Sequence, residues 1–439
     1  MTTAQQPPSP ADDSDQTTTI HYLVPGGMGL GHVAAGTVFI PLTAPGDRVR
    51  FRVERRQRKV LHGVLEEVLE PGPGRCAPVC PLYGQCGGCD LQHLEPRRAR
   101  EVKRRFVVDA LERIGRFPHA DKRVETLLAA DPLWGYRRRV TLRVGWMSDH
   151  LQLGFFRARS HDVVDLAECS VLDPQLQAQL TPLRDFLALW RGARQVVSVQ
   201  AAVGSNGVGL LFNCTRLPNR RGRQRLELWA VQQGLAGVWL KGGDDQVVLV
   251  TGEPLVEDSG GSALGFHPGD FIQAHAAQNR RLVAEVCAWA GAGARAWDLF
   301  CGVGNLSLPL AGAFARVTGV ELSASSVSQA RESAARAGLS TKLEFRQGDL
   351  FHPRGVEDLP LEEDDVVVLD PPRSGAEIVA ARLARSTARR VVYVSCDPAT
   401  LARDARILAD GGWTLGRVLP LDLFPQTHHV ETLALLERG

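Results

Sequence analysis

The 439-residue sequence predicts an α/β protein built from a C-terminal Rossmann-like domain, an N-terminal OB-like β-barrel and a central mixed α+β domain. Three observations carry that prediction. From about residue 271 short apolar runs alternate with amphipathic stretches, as in a parallel sheet with helices on both faces. Residues 17–70 alternate apolar and polar positions at period two between Gly and Pro, which predicts a small antiparallel barrel. Pro71-Gly72-Pro73-Gly74 then breaks the pattern and reads as a boundary.

In chain order, residues 1–16 are rich in Pro, Ser, Asp and Gln and read as a disordered tail. They lack the basic and apolar regions of a secretory signal. The barrel follows at 17–70. Residues 71–270 form the central domain, with a cysteine-rich loop at 76–89, a helix within 96–120 expected to pack on the C-terminal domain, and many strands from 134 onward. The C-terminal domain takes 271–439. No apolar run approaches the roughly 18 residues of a membrane span. Nine cysteines without an export signal are too few and too irregular for a disulfide scaffold, so a reducing, cytoplasmic compartment is expected.

The net charge is only +2, but its distribution is uneven. Arginine is dense in FRVERRQRKV, EPRRAREVKRRF, GYRRRVTLR and NRRGRQR, all in the first 225 residues, whereas acids gather later, as in GVEDLPLEEDD. Such segregation suits an N-terminal half that holds an anionic partner such as RNA. Solvated faces of unrelated elements are the plainer alternative for any one cluster.

In a doubly wound sheet ligands sit at the carboxyl ends of strands, and the polar motifs fall there. DLFCGVGN (298–305) supplies glycines for a tight strand-to-helix turn that a ligand can approach. Glu321 ends the next strand, where a carboxylate can accept from a ribose diol. Asp349 follows the third, placed to read an adenine amino group, and Asp370 follows the fourth. A dinucleotide site would want G-x-G-x-x-G, whereas the sequence reads GVGNLS, so S-adenosylmethionine is the expected cofactor. Asp370-Pro371-Pro372-Arg373 has arginine where amine methylases carry an aromatic residue, which argues for another way of activating the acceptor.

Cys396, just past the strand RVVYV and flanked by Ser395, Asp397 and Pro398, offers that way. Carbon 5 of uracil is a poor nucleophile until a thiolate adds to carbon 6 and turns the ring into an enolate. A base must then take the carbon 5 proton so that elimination frees the cysteine. Glu431, at the start of the last strand, is the expected base, because a buried carboxyl has a raised pKa. His428 and His429 are alternatives. Cys80-x5-Cys86-x2-Cys89 places three thiols in one loop around Gly87-Gly88, a soft set fitting iron–sulfur or zinc. A radical S-adenosylmethionine enzyme would need Cys-x3-Cys-x2-Cys; counting from Cys76 and Cys80, the third position is Tyr83.

DLFCGVGN, DPPRSG, SCDPAT and FPQTHHVE, in that order, resemble the bacterial RNA uracil-5-methyltransferases, particularly those acting on large-subunit ribosomal RNA, from about residue 17 to the end. The resemblance implies a class I methyltransferase domain, Cys396 as nucleophile, Glu431 as base, and Gln273, Phe300, Asn305, Glu321, Asp349 and Asp370 at the cofactor and substrate site. It implies a TRAM module at 17–70. It also makes Cys169 the fourth ligand beside Cys80, Cys86 and Cys89, and favours a [4Fe–4S] cluster. The expected substrate is a uridine of 23S ribosomal RNA, turned out of its stack, with Tyr136 and Arg137 as candidate RNA contacts and a monomeric enzyme. Transfer RNA as substrate, or a non-catalytic RNA-binding protein, are the competing readings. The chain departs from the family at Asp397 and Ser333, where asparagine is usual, and at Phe271-Ile272-Gln273-Ala274-His275, where Phe-x-Gln-Val-Asn is usual.

Overall fold

The computed structural model describes residues 16–243, 246–259 and 261–438. The tail expected at 1–16 lies outside them except for Gln16, which already belongs to the first strand. The chain divides into two compact units, one of 1–84, 89–102 and 426–428, the other of 85–88, 103–425 and 429–439.

In the first unit β1 (Gln16–Val24), β2 (Met28–Val33), β3 (Gly36–Pro41), β4 (Arg48–Gln57) and β5 (Val60–Glu70) close a barrel in the order β1-β2-β3-β5-β4. β3 and β5 run parallel, so the barrel is not wholly antiparallel as expected. Alternate residues point inward, and Ile20, Val38, Ile40, Val49, Phe51 and Leu61 fill it. Gly63 is required there, because a Cβ would stand 2.7 Å from the Phe51 ring. Outside, Arg48, Arg50 and Arg52 pair with Glu70, Glu67 and Glu66 of β5. Part of the first arginine cluster is therefore neutralised within the barrel.

The second unit holds two sheets. β6 (Arg139–Met147), β7 (His150–Phe156), β8 (Val163–Asp165), β9 (Val196–Gly204), β10 (Gly207–Cys214), β11 (Gly237–Lys241) and β12 (Val247–Gly252) form one, in the order β12-β11-β10-β9-β6-β7-β8. A hairpin of β13 (Leu255–Ser259) and β14 (Ser262–Phe266) covers part of it through Leu255 and Phe266, which pack on Leu211 and Trp239. α1 (Pro96–Arg113), α2 (Pro174–Leu189) and α3 (Arg220–Gln232) precede the catalytic portion. The Phe186 and Trp229 rings stack at 4.4 Å and join α2 to α3.

The second sheet contains β15 (Gly293–Leu299), β16 (Phe314–Glu321), β17 (Leu343–Gln347), β18 (Val366–Leu369), β19 (Arg390–Ser395), β20 (Trp413–Leu421) and β21 (Glu431–Arg438), ordered β17-β16-β15-β18-β19-β21-β20. The first five are parallel, as the alternation of apolar strands with amphipathic helices predicts. β21 and β20 are antiparallel additions, so the sheet is mixed rather than wholly parallel as expected. Helices α4 (Ala276–Ala290), α5 (Ser307–Leu310), α6 (Ala324–Arg336), α7 (Pro353–Glu357), α8 (Glu377–Ala384) and α9 (Pro398–Asp410) complete it. Trp297, Leu299, Val367, Leu369, Val391 and Tyr393 face one side with α8, α9 and Val107, Val108 and Leu111 of α1. Ala296, Val366, Val368, Val392 and Val394 face the other with α4 and α6. β15 lies between β16 and β18, so connections leave it in opposite directions and open a crevice at the strand ends. No helix among the described residues is long and apolar enough to cross a membrane.

Candidate active site

A cavity of about 500 Å³ occupies that crevice, within the usual range of small-molecule sites. Its lining joins residues from five strand ends: Phe300 and Gly302 after β15, Glu321 of β16, Asp370 and Arg373 after β18, Cys396 after β19, and Glu431 of β21, with Gln273 from the segment before α4.

The turn after β15 is shaped for a ligand. Phe300 has φ 66°, the left-handed region that a bulky residue occupies at a cost of about 1–3 kcal/mol. Its amide is held by the Val320 carbonyl at 2.9 Å. Gly304 must be glycine, since its φ is 96° and a Cβ there would stand only 2.8 Å from Leu308 Cδ1. Glu321 accepts from the Gly302 amide at 3.1 Å and the Ser323 amide at 2.8 Å, which fixes its carboxylate against the cavity.

Three acids line up beneath this wall. Asp298 is fully buried and accepts from Ser307 on one oxygen, leaving Oδ1 without a partner. Burial pushes its pKa up to about 7. Burial and then the nearby Asp298 push Asp370 up to about 7 as well. Glu431, 2% exposed, is raised well above the carboxylate range by burial and then by Asp370. Cys396 is half-buried, and burial first, then Glu431 and Asp370, push its thiol up to about 12, against the lowering effect of Arg373. The side chain is therefore a thiol at neutral pH.

The segment entering β21 is clamped from several sides. Lys103 donates to Asp422 Oδ1 at 2.6 Å and to the Phe424 carbonyl at 3.0 Å, and the pair is nearly inaccessible. Gln278 donates to the Asp422 carbonyl at 3.2 Å, and Tyr136 Oη donates to the Pro425 carbonyl at 2.8 Å. Tyr136 is thus an interior residue, 4% exposed and stacked on His275, and its role as an RNA contact gives way to packing. Arg137 is half-buried, with Nε lacking a hydrogen-bond partner.

The other expected residues separate into two groups. Gln273, Phe300, Glu321, Asp370, Cys396 and Glu431 share the cavity. Asn305 and Asp349 do not line it. Asn305 is bonded to Asn279, and Asp349 is exposed, accepting from the Phe351 amide at 2.9 Å to shape its own turn. His429 lines the cavity, where Arg373 Nη2 lies 2.9 Å from its Nε2, while His428 is paired with Asp90. The three positions that depart from the resembled family each make local hydrogen bonds. Asp397 caps α9 by accepting from the Ala399 and Thr400 amides at 2.8 and 3.1 Å, a task asparagine shares. His275 caps α4 and holds the Pro132 carbonyl at 3.0 Å, outside the cavity. Ser333 accepts from the Gly265 amide at 3.0 Å.

Periodicity and motif spacing did not reveal the apolar rim. Phe271, Leu322 and Phe351 are 63%, 54% and 42% exposed and line the cavity, so large apolar faces await a flat ligand. Gln273 Oε1 is buried there without a partner. These features fit S-adenosylmethionine, with its adenine ring and polar amino-acid end. Among the described residues no group of three or more His, Cys, Asp or Glu side chains is arranged to hold a metal ion. Cys80, Cys86, Cys89 and Cys169 are half-buried. The Cys86 segment is held by the Gly87 amide on the Phe156 carbonyl at 3.0 Å, and Cys169 by its amide on Gln177 Oε1 at 2.8 Å.

A family model described as tRNA (Uracil-5-)-methyltransferase matches residues 354–439, and one described as Methyltransferase domain matches 296–370. The 23S rRNA (uracil(1939)-C(5))-methyltransferase RlmD of Aeromonas hydrophila subsp. hydrophila is 36% identical over 422 residues, covering 94% of this chain and 93% of its own. The protein of that name from Pectobacterium atrosepticum is 34% identical over 423 residues, covering 95% and 93%. A solved structure of Pyrococcus abyssi tRNA (uracil-54, C5)-methyltransferase with S-adenosyl-L-homocysteine superposes with a TM-score of 0.73 over 96% of this chain and 100% of that one. Its 23% identity speaks for the shared fold alone.

Proposed function

The chain belongs to the bacterial 23S rRNA (uracil-C5)-methyltransferase family, and from that premise we propose how its own residues methylate carbon 5 of a 23S rRNA uridine. The observation that carries the reading is the meeting of Cys396, Asp370 and Glu431 in one cavity with Gln273, Phe300 and Glu321. S-adenosylmethionine supplies an electrophilic methyl group and a positive charge. Glu321 would hold its ribose, Phe300 and the rim aromatics would bind its adenine, and Asp370 would meet its charged end. Asp349 and Asn305 act through the turns they brace.

Cys396 Sγ would form a bond to uracil carbon 6, and the electron pair moved onto the ring would let carbon 5 take the methyl group as its bond to sulfur breaks and S-adenosylhomocysteine leaves. The thiol proton leaves to Asp370, so Glu431 stays free to accept the later proton. Glu431 then takes the carbon 5 proton, and elimination breaks the sulfur–carbon bond and restores the free cysteine. The uridine reaches this depth by leaving its stack, with Arg137 contacting RNA nearby. The barrel at 17–70 acts as a TRAM module. The enzyme works as a cytoplasmic monomer.

Cys80, Cys86, Cys89 and Cys169 are proposed to carry a [4Fe–4S] cluster, supported by an all-thiol donor set and by the loop glycines that let the backbone wrap it. No catalytic step runs through that group. Iron and sulfide assay of anaerobically purified protein tests it; zinc without sulfide is the result that overturns it.

The activity is tested by incubating the protein and S-adenosylmethionine with unmodified 23S rRNA and with unmodified transfer RNA, then mapping 5-methyluridine. Methylation of 23S rRNA at the position for which the relatives are named, 1939, is expected. Methylation of transfer RNA alone would replace the ribosomal substrate, and none on either would leave a binding protein.

A further inference from the structure

Asn305, in the turn that follows the first glycine-rich strand, spends its side chain on Asn279 of α4 in a reciprocal amide pair: Asn279 Nδ2 donates to Asn305 Oδ1 at 2.9 Å, and Asn305 Nδ2 donates to Asn279 Oδ1 at 3.0 Å. The same Asn279 amide donates to Glu257 Oε1 at 3.1 Å. Glu257 accepts from Arg138 Nη2 at 2.6 Å, and Arg138 Nε donates to the main-chain carbonyl of Gln273 at 3.0 Å. Ser259, two residues on from Glu257 in β13, donates to the Asn305 carbonyl at 2.8 Å. Arg138, Glu257, Ser259 and Asn279 are each under a tenth exposed. A continuous buried polar chain thus runs from Gln273, on one wall of the cavity, to the Gly302–Asn305 turn on another.

A buried ion pair of this kind adds little net stability over apolar packing, because desolvation consumes most of its attraction. What it does supply is direction. Arg138 offers a planar fork that fixes two acceptors at set angles, and the amide pair fixes Asn305 in both rotation and distance. Gln273 carries a buried, partnerless Oε1 at the cavity, so its orientation rests on its main chain, and Arg138 holds that main chain.

We propose that Arg138, Glu257 and Asn279 form a positioning unit that keeps the Gln273 wall and the cofactor turn in register, so that the pyrimidine ring and the methyl donor meet at reacting distance. None of the three lines the cavity. The inference rests on the methyltransferase reading, since register between two walls matters only if two reactants must meet.

The test uses full-length protein, Arg138→Lys, Asn305→Ala and the double variant. Arg138→Lys keeps a buried cation for Glu257 and loses the tie to Gln273. Displacement of a reacting pair by about an ångström costs up to about a hundredfold in rate, so each single variant should slow single-turnover methyl transfer by about tenfold to a hundredfold. If the chain acts as one unit, the double variant should be no more than about twofold slower than the worse single variant. Calorimetric binding of S-adenosylhomocysteine gives a readout independent of turnover: Arg138→Lys should weaken it, although Arg138 lies on the far side of the network. Rate losses that multiply in the double variant, or Arg138→Lys with normal cofactor affinity, would overturn the proposal. So would a lowered melting midpoint with unchanged single-turnover rate, which marks a merely structural role. Wild-type protein inactive on every RNA would instead sink the methyltransferase reading itself.

Discussion

Ser395 and Thr432 are partners across the antiparallel pairing of β19 and β21, and that register sets Cys396 and Glu431 level at the same end of the sheet. The strand between them and the cofactor turn, β18, delivers Asp370 to the same edge. Cys396 directly follows β19 and Glu431 begins β21, so hydrogen-bond register on the sheet brings the proposed nucleophile and the proposed base together.

Cys396→Ala should form no covalent adduct with RNA carrying 5-fluorouridine, whereas the wild type should be trapped on it. Methyl transfer should fall by about a thousandfold or more, the usual loss when a covalent nucleophile is removed. Denaturing gels read the adduct, and an adduct persisting in the variant removes Cys396 from its role.

Glu431→Gln should stall later. Since the base acts after the methyl group has moved, the variant should accumulate a methylated covalent RNA–protein adduct while turnover drops by about a hundredfold to ten-thousandfold. Equal loss of turnover with no adduct would place Glu431 before methyl transfer.

Stability should depend on pH through Asp298 and Asp370. Both have pKa values raised by burial from 3.8 to about 7 in the fold. The folded chain therefore binds more protons than the unfolded chain between those values, and this contribution is present at low pH and lost as pH rises through about 7. The melting midpoint of ligand-free protein should fall between about pH 4 and about pH 7, and Asp298→Asn should make that fall shallower. A midpoint that rises over this window in wild type, or an unchanged slope in the variant, contradicts it.

Lys103→Met strands the buried Asp422 carboxylate without its cation and should cost about 3–5 kcal/mol in urea unfolding. Adding Asp422→Leu should restore most of that loss, because two apolar partners fill the space without a stranded charge. A double variant as unstable as the single one would show that the pair's geometry, and not its charge balance, supports the segment leading to Glu431.

Much of the site was legible because strand ends in a parallel sheet converge and the chain writes its strands as apolar runs. Val366–Leu369 and Arg390–Ser395 are such runs, and Asp370 and Cys396 follow from where they stop. The direction of a side chain beyond a strand is not written in spacing. Asn305 and Asp349 occupy motif positions, yet one turns to Asn279 and the other to its own backbone. Arginine density carries a related ambiguity. Arg104 of EPRRAREVKRRF spends its guanidinium on the carbonyls of Asp121, Val124 and Glu125, and Arg138 of GYRRRVTLR is spent on Glu257. Composition counts charges but does not say which are already answered by distant partners. The antiparallel direction of β20 and β21 escaped because an apolar run looks the same whichever way it points.

The protonated state of Cys396 has a consequence for the enzyme between turnovers. With its thiol pushed up to about 12 by burial and the neighbouring carboxyls, little of it is the reactive sulfur anion at neutral pH. Peroxides and alkylating metabolites attack that anion, so a protein without bound substrate offers them almost nothing to damage. The sulfur becomes vulnerable only when the assembled complex has already given it a pyrimidine to react with.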